Sequence, residues 1–187
     1  METLSAITKR RAYRALSEEP IEKETLIRLA EAARLTPSSG NHQPWRIVTV
    51  VEPIQLEKLK TALTGGNYWA LKAPAITAFI TNKMWSLQMD KREFAYFELG
   101  MAAMSYQLQA VQEDLIVHPM AGFDQNLAKE VLGVDEDEVL FVLVALGKRG
   151  DSSYLSEKHL AQETSVQVRK PLEDIFAFNS WNNHLNP

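Results

Sequence analysis

The order of helical and extended patterns along this chain predicts an α+β fold, in which helices and strands surround one sheet. The apolar run Val139–Leu146 is typical of a strand covered on both faces. The sequence contains neither an internal repeat nor a linker long enough to divide it. With 187 residues, of which 45% are hydrophobic, the chain can bury one sizeable core. We therefore expect a single domain over residues 1–187.

Composition excludes several classes of protein. The formal net charge of −4 argues against a nucleic-acid binder, which normally presents a basic face. The absence of cysteine excludes disulfides, thiolate metal sites and a cysteine nucleophile, and the four histidines lack the close spacing of zinc ligands. No apolar run approaches the ~18 residues of a membrane span, and the N-terminus lacks the apolar core of a signal peptide. We expect a cytoplasmic protein that binds neither nucleic acid nor membrane.

Helical spacing predicts the first two elements. A short helix is expected over Met1–Lys9, with Leu4 and Ile7 facing the core. A second helix is expected over Ile21–Leu35, with Pro20 in its first turn. The apolar stripe of this second helix comprises Leu26, Leu29, Ala30 and Ala33.

Two strands and a helix are predicted next. Arg46–Val51 is the first strand, and the helix Pro53–Leu63 follows it and ends at Gly65-Gly66. Ala75–Thr81 is the second strand. The residues of this helix that should face inward are Leu56, Leu59 and Leu63.

A long helix is predicted over Phe94–Gln112, and it is apolar on nearly all sides. One stripe on it comprises Phe97, Met101, Met104, Leu108 and Val111. Such a helix must be buried on several sides. Plain core packing is one explanation, but a domain of this size has little room for a fully enclosed helix. Burial against a second subunit is the alternative.

The last third of the chain should contain a strand over Leu115–His118 and a helix from its N-cap Asp124 to about Leu132, ended by Gly133. The remaining expectations are the strand Val139–Leu146, a polar irregular stretch over Gly147–Gln162, an extended edge over Ser165–Arg169 and a helical turn over Leu172–Phe178.

The polar segment Thr36–Arg46, with the sequence TPSSGNHQPWR, connects the second helix to the first strand and is termed the 36–46 loop. It is longer than a simple connection requires. Pro37 fixes one backbone angle, and the short side chains of Ser38, Ser39 and Asn41 can bond nearby backbone or a ligand. Polar loops between buried elements often carry binding residues, although local chemistry alone favours a structured turn.

Three arginines, Arg10, Arg11 and Arg14, fall within five residues. One interpretation is a solvated basic patch. The other is a phosphate clamp, because guanidinium groups bind phosphate oxygens in bidentate fashion.

Four segments carry a family resemblance. They are Arg10–Arg14 (RRAYR), Pro37–Trp45 (PSSGNHQPW), His118–Phe123 (HPMAGF) and Arg169–Leu172 (RKPL). Together, and in this order, they resemble the nitroreductase family of FMN-dependent NAD(P)H oxidoreductases. The resemblance implies a nitroreductase-like fold with a central, mostly antiparallel sheet flanked by helices. It also implies an interlocked homodimer with its FMN sites at the subunit interface.

The resemblance also implies roles for the basic residues. Arg10, Arg11 and Arg169 would lie toward the FMN phosphate or ribityl chain, which favours the clamp over the solvated patch. Arg14 would lie near the pyrimidine edge, where positive charge stabilises the anionic reduced flavin. The backbone N–H of Ala121 or Gly122 would reach N5 of the flavin.

The loop residues would contact the flavin of the other subunit. These implied contacts are Pro37, Ser38, Ser39 and Asn41. Asn67 matches the family only loosely as a ligand of the flavin ring, and a turn or cap residue is the alternative.

Three positions depart from the family pattern. Ala12 stands where a serine is usual, Gln167 replaces a lysine of some members, and Ala121 replaces a glutamate of some relatives. A Rossmann glycine fingerprint and a nucleophile elbow are both absent from the sequence.

The resemblance implies hydride transfer from NADH or NADPH, through flavin N5, to an electron-poor acceptor such as a nitroaromatic or a quinone, in a ping-pong cycle. No catalytic side chain is required, since the flavin carries the chemistry. One alternative is a flavin-binding carrier or sensor without turnover. Another is a related flavin enzyme, either dehalogenase-like or flavin-cannibalising.

Overall fold

The structure is a computed structural model that describes residues 3–181 and 185. Within these residues the helices are α1 (Ser5–Lys9), α2 (Lys23–Arg34), α3 (Pro53–Lys60), α4 (Phe94–Gln112), α5 (Gln125–Leu132) and α6 (Glu157–Thr164). The strands are β1 (Arg46–Val50), β2 (Ala75–Thr81), β3 (Gln88–Met89), β4 (Arg92–Glu93), β5 (Ile116–Met120) and β6 (Val139–Gly147). Short 3-10 turns occupy Ser39–Asn41, Gly65–Lys72, Lys83–Trp85 and Leu172–Asp174. The first two residues of the predicted N-terminal helix lie outside the described residues.

Four strands form one antiparallel sheet in the order β1-β2-β6-β5. The predicted α+β class and antiparallel sheet are therefore confirmed. The strand β2 has the predicted bounds, and all seven of its residues are buried. Ile76 lies opposite Val50 of β1 and Ala145 of β6. Because β2 lies in the middle of the sheet, its alternate side chains enter two separate layers of core.

Helices cover both faces of the sheet. The layer that contains Ile76 and Ile80 packs against α3, α5 and the turn Gly65–Lys72. The layer that contains Phe79 packs against α2 and α4. In this second layer the hydroxyl of Tyr106 on α4 lies 2.7 Å from Oγ1 of Thr77, so the buried phenol has a hydrogen-bond partner.

The helix α4 has the predicted bounds, but part of its predicted stripe is exposed. Phe97 and Met104 are 63% and 43% exposed. Small side chains instead line the buried face and let the helix approach the sheet closely. The buried residues of α4 are Ala95, Glu98, Leu99, Ala102, Ala103, Tyr106, Gln107 and Ala110. No helix within residues 3–181 and 185 is both long enough and apolar enough to cross a membrane.

Some predicted helix ends were wrong. Leu4 and Ile7 of the first helix are exposed rather than directed to the core. The helix α2 begins at Lys23, so Pro20 precedes it instead of lying in its first turn. The helix α3 ends at Lys60, and Gly65 begins a separate 3-10 turn.

The helix α5 follows its predicted signals. Oδ1 of Asp124 accepts a hydrogen bond of 3.0 Å from the Leu127 N–H, and Gly133 ends the helix with a φ of 66°. The strand β5 continues through Pro119 to Met120, beyond its predicted end. Proline is tolerated there because β5 is an edge strand of the sheet.

The C-terminal region contains one helix that the sequence analysis missed. The helix α6 lies within the stretch predicted to be irregular, and Oγ of Ser156 accepts a hydrogen bond from the His159 N–H at its start. The predicted edge Ser165–Arg169 forms no strand in the described residues, and Val166 and Val168 are exposed. The predicted helical turn is present as Leu172–Asp174.

Candidate functional site

A cleft of about 400 Å³ brings the arginine segment together with the C-terminal segment. It is lined by residues 10–14, by Gln162 and by residues 165–169, and is termed the arginine cleft. Arg10, Arg11, Arg14 and Arg169 all line it, and none of its lining residues is a carboxylate. The structure thus brings three arginines from the N-terminal region together with Arg169 from near the C-terminal end of the sequence.

The positive charges in this cleft lie close together. Burial, and secondly the charge of Arg169, lower the pKa of the Arg10 guanidinium. Within the described part of the chain, neither Arg10 nor Arg169 forms an ion pair with a carboxylate. Cations brought together without a counter-charge favour the binding of an anion, and guanidinium groups match a phosphate in particular.

The helix α6 anchors the arginine segment. Its buried Glu163, 4% exposed, accepts a 2.7 Å hydrogen bond at Oε1 from the Arg14 N–H. Oε2 of the same carboxylate lies 3.5 Å from Nη2 of Arg149. The Tyr154 hydroxyl donates to the Arg14 carbonyl at 2.7 Å and accepts from the Leu16 N–H at 2.9 Å. Both backbone groups of Arg14 are therefore fixed, so its side chain starts from a defined position.

A close backbone approach supports this anchor. The Gly150 N–H donates to the Ala15 carbonyl at 2.8 Å. A Cβ at Gly150 would lie 2.6 Å from the Leu16 backbone, so only glycine fits here without a shift. Ser156 as an N-cap with Glu157 in the first turn is the sequence signal that could have located α6.

A neutral histidine lies beneath the arginine segment. Nδ1 of His118 donates to the Tyr13 carbonyl at 3.1 Å, and its ring centroid is 4.3 Å from that of Trp69. Trp69 also lies under Arg14, whose Cζ is 5.9 Å from the indole centroid. Burial is the main cause that lowers the pKa of His118 to about 4. His118 therefore adds no positive charge at neutral pH.

Asn67, Ala121 and Gly122 form a second group of predicted site residues. The Gly122 carbonyl accepts hydrogen bonds from Nδ2 of Asn67 at 2.7 Å, from Oγ1 of Thr64 at 2.9 Å and from the Thr64 N–H at 3.0 Å. A Cβ at Gly122 would lie 2.6 Å from Oγ1 of Thr64, so glycine is required. Asn67 thus fixes the Gly122 carbonyl, which belongs to the 122–123 peptide, and its contact with a flavin ring stays a prediction.

The 36–46 loop is a tightly folded turn. Gly40, Asn41 and Gln43 have left-handed φ values of 55°, 58° and 50°. Oγ of Ser38 accepts a hydrogen bond of 2.8 Å from the Gln43 N–H. Ser39 donates its N–H at 2.6 Å to the carboxylate of Glu98, which the sequence analysis did not identify. The structured turn that local chemistry favoured is therefore present.

The loop and the arginine cleft are separate in one chain. The predicted loop ligands are Pro37, Ser38, Ser39 and Asn41. None of these four residues is among those that line the arginine cleft. The two parts of the predicted site come from different regions of the subunit surface.

Comparison with known proteins identifies the family. A model of the nitroreductase family matches residues 7–67 and 52–148, which is most of the chain. The chain belongs to the nitroreductase family. A relative from Archaeoglobus fulgidus carries a provisional NADH dehydrogenase/NAD(P)H nitroreductase name. It is 30% identical over 150 residues, which cover 78% of this chain and 84% of the relative.

Other proteins extend the likeness. A protein of Thermus thermophilus named NADH dehydrogenase is 26% identical over 189 residues, covering 84% of this chain and 92% of that protein. A crystal structure described as an oxidoreductase containing FMN has a TM-score of 0.82 and 26% identity. The match covers 97% of this chain and 94% of the solved chain. The predicted nitroreductase-like fold is confirmed.

The pKa of His118 predicts a pH dependence of stability. The folded value of about 4 lies below the ordinary 6.5, so between these values the unfolded chain binds more protons. The free energy of unfolding should fall as the pH drops from 6.5 toward 4, by up to about 1.4 kcal/mol per pH unit from this residue. Urea unfolding of the FMN-free protein at several pH values measures the slope, and His118→Asn should reduce it.

His159→Asn is the matched control, because the pKa of His159 is also lowered by burial but its ring is far less buried. The reduction in slope should be smaller there. Equal slopes for the wild type and His118→Asn would contradict the assignment of a buried neutral ring.

Proposed function

We propose that this chain is an FMN-dependent oxidoreductase that transfers reducing equivalents from NADH or NADPH to an electron-poor acceptor such as a nitroaromatic or a quinone. The arginine cleft carries the proposal, because it gathers four cations around a space without a lining carboxylate. The names of the relatives agree with it. Bound FMN would supply the hydride-transfer chemistry of a ping-pong cycle between NADH or NADPH and the acceptor.

The cleft fits the phosphate end of this cofactor. Arg10, Arg11 and Arg169 would hold the phosphate through charge-assisted hydrogen bonds. Arg11 is already oriented, since its Nη2 donates to the Gln162 carbonyl at 3.2 Å. Ala12 and Gln167 also line the cleft, so the two departures from the family pattern lie beside the proposed phosphate position and leave the arginines to carry the recognition.

The ring would lie toward Arg14 and the 121–122 peptide. The fixed backbone of Arg14 directs a guanidinium that would stabilise negative charge at N1 and the C2 carbonyl. The Ala121 or Gly122 N–H would lie near N5, and the three hydrogen bonds to the Gly122 carbonyl fix the backbone that directly follows these N–H groups. These residues bind and orient; none of them has to transfer a proton.

An interlocked homodimer would complete the site. Apolar side chains are exposed on the α1 region, on α4 and on the C-terminal segment of the single chain. They include Leu4, Ile7, Phe97, Met104, Val166, Val168, Phe178 and Trp181. Packing two chains through these surfaces would bury them, and each 36–46 loop would then reach the FMN of the other subunit.

Turnover tests the function directly. The purified protein should bind FMN, which chromatography of the heat-released cofactor distinguishes from FAD. The FMN-loaded protein should then oxidise NADH or NADPH when a nitroaromatic or a quinone is supplied. FAD, or no binding after reconstitution with FMN, would overturn the proposal. FMN binding without turnover would favour the carrier or sensor instead.

Substitution of the cleft arginines tests phosphate recognition. Charge-assisted hydrogen bonds contribute about 1.5–3 kcal/mol each, so Arg10→Ala or Arg169→Ala should weaken FMN binding by about 10–100-fold. Riboflavin lacks the phosphate, and its affinity should change much less. Arg34→Ala removes a surface arginine that pairs with Glu31 on α2 and is the control. Equal losses for FMN and riboflavin would show that the arginines do not bind the phosphate.

Mixed dimers test whether the site is shared between subunits. One parent carries Arg10→Ala with Arg169→Ala, and the other carries Ser38→Phe with Ser39→Phe. If each loop serves the other subunit, the heterodimer has one site with all four changes and one site with none. Co-refolding two inactive parents should therefore restore activity. A mixture that stays inactive would place each loop at the flavin of its own subunit.

A further inference from the structure

Glu98 is a buried carboxylate that holds the 36–46 loop against α4. It lies near the start of α4 and is 1% exposed. Oε1 accepts the Ser39 N–H at 2.6 Å, and Oε2 accepts the Ser86 hydroxyl at 2.5 Å. Within residues 3–181 and 185, no basic side chain lies within ion-pair distance of it. Two neutral donors thus satisfy this carboxylate.

The burial of this carboxylate has a cost in stability. Burying a charge opposite neutral donors costs desolvation energy, which the two hydrogen bonds have to offset. What a carboxylate adds is a short, directional bond to one particular backbone N–H. Glu98 therefore serves to fix the position of Ser39.

The loop needs such an anchor because its backbone is strained. Asn41 and Gln43 both have positive φ values. Asparagine adopts this conformation comparatively readily, but glutamine does so only when its surroundings impose it. The Ser38–Gln43 bond closes the loop on itself. Contacts from outside fix its placement: Glu98 holds Ser39, and the Thr81 hydroxyl donates to the Pro44 carbonyl at 2.5 Å.

We propose that Glu98 is a positioning residue that fixes the 36–46 loop in the geometry that binds FMN. It acts through Ser39 and does not touch the cofactor. Through Ser86 it also ties the loop to the turn Lys83–Trp85, which leads into the β3–β4 hairpin. This inference rests on the proposed function, because the loop is assigned to the flavin there.

Two conservative variants separate the effect of side-chain length from the effect of charge. Glu98→Gln loses the charge but keeps the length, so its amide oxygen can accept the Ser39 N–H while its amide group donates to the Ser86 hydroxyl oxygen. Glu98→Asp keeps the charge but is one methylene shorter, so it cannot hold both partners. Gln107→Ala is the control, since Gln107 is a buried polar residue on the same helix whose side-chain amide donates to the Ala103 carbonyl.

Two measurements are made on each variant of the full chain. Hydrogen–deuterium exchange of the FMN-free protein reports the loop through a peptide over residues 36–43. Titration with FMN measures the affinity of the site for this cofactor. Glu98→Asp should speed exchange in the loop and weaken FMN binding about tenfold or more, whereas Glu98→Gln should stay within about threefold of the wild type. Gln107→Ala should change the melting temperature without changing loop exchange or FMN affinity.

The possible outcomes distinguish the role of Glu98 from the proposed function of the chain. Unchanged loop exchange in Glu98→Asp would overturn the role of Glu98 while leaving the proposed function intact. A greater loss of FMN affinity in Glu98→Gln than in Glu98→Asp would overturn positioning in favour of charge. Faster exchange with unchanged FMN affinity would show that the loop does not shape the FMN site. This result would also overturn the role of Glu98. A wild type that binds no FMN would overturn the proposed function together with this role.

Discussion

Arg10 and Arg169 line the same cleft although like charges repel, and contacts within the fold hold the arginine segment on one side of this cleft. Repulsion of this kind is tolerated only when the backbone cannot move apart and the cleft can admit an anion. For the segment that carries Arg10, the first condition is met by the carboxylate of Glu163, which holds the Arg14 N–H, and by Tyr154, which holds the Arg14 carbonyl. Gly150 has no side chain, so its backbone can lie close to that of Leu16. The cleft is thus built by the protein before any ligand arrives.

The sequence predicts those parts of the fold in which burial follows hydrophobic pattern. The strand Ala75–Thr81 and the helix Phe94–Gln112 have their predicted bounds because both are long, apolar and free of proline. Asp124 and Gly133 give local capping signals that need no tertiary contact. Leu4 and Ile7 are an apolar pair, as predicted, but they were wrongly assigned to the core. An apolar pattern indicates that a surface is apolar, but it does not indicate what covers that surface.

The parts that were missed are those in which polar groups are buried. The one buried residue of α6 is Glu163, so this helix has no apolar stripe to reveal it. Glu98 was missed for the same reason, since charged residues are seldom fully buried. The bonds of both carboxylates to distant backbone groups depend on tertiary folding, which spacing along the chain does not report. The union of Arg10 with Arg169 was implied by the family resemblance and could not follow from their separation in sequence.

The uncharged ring of His118 has a consequence for how the cofactor would be retained. Because its pKa lies near 4, the ring does not gain or lose charge as a cell acidifies moderately. His118 then leaves the electrostatic attraction of the arginine cleft unchanged, whereas the phosphate itself has a second ionisation near pH 6. The pH dependence of FMN retention would thus follow the titration of the phosphate rather than that of His118.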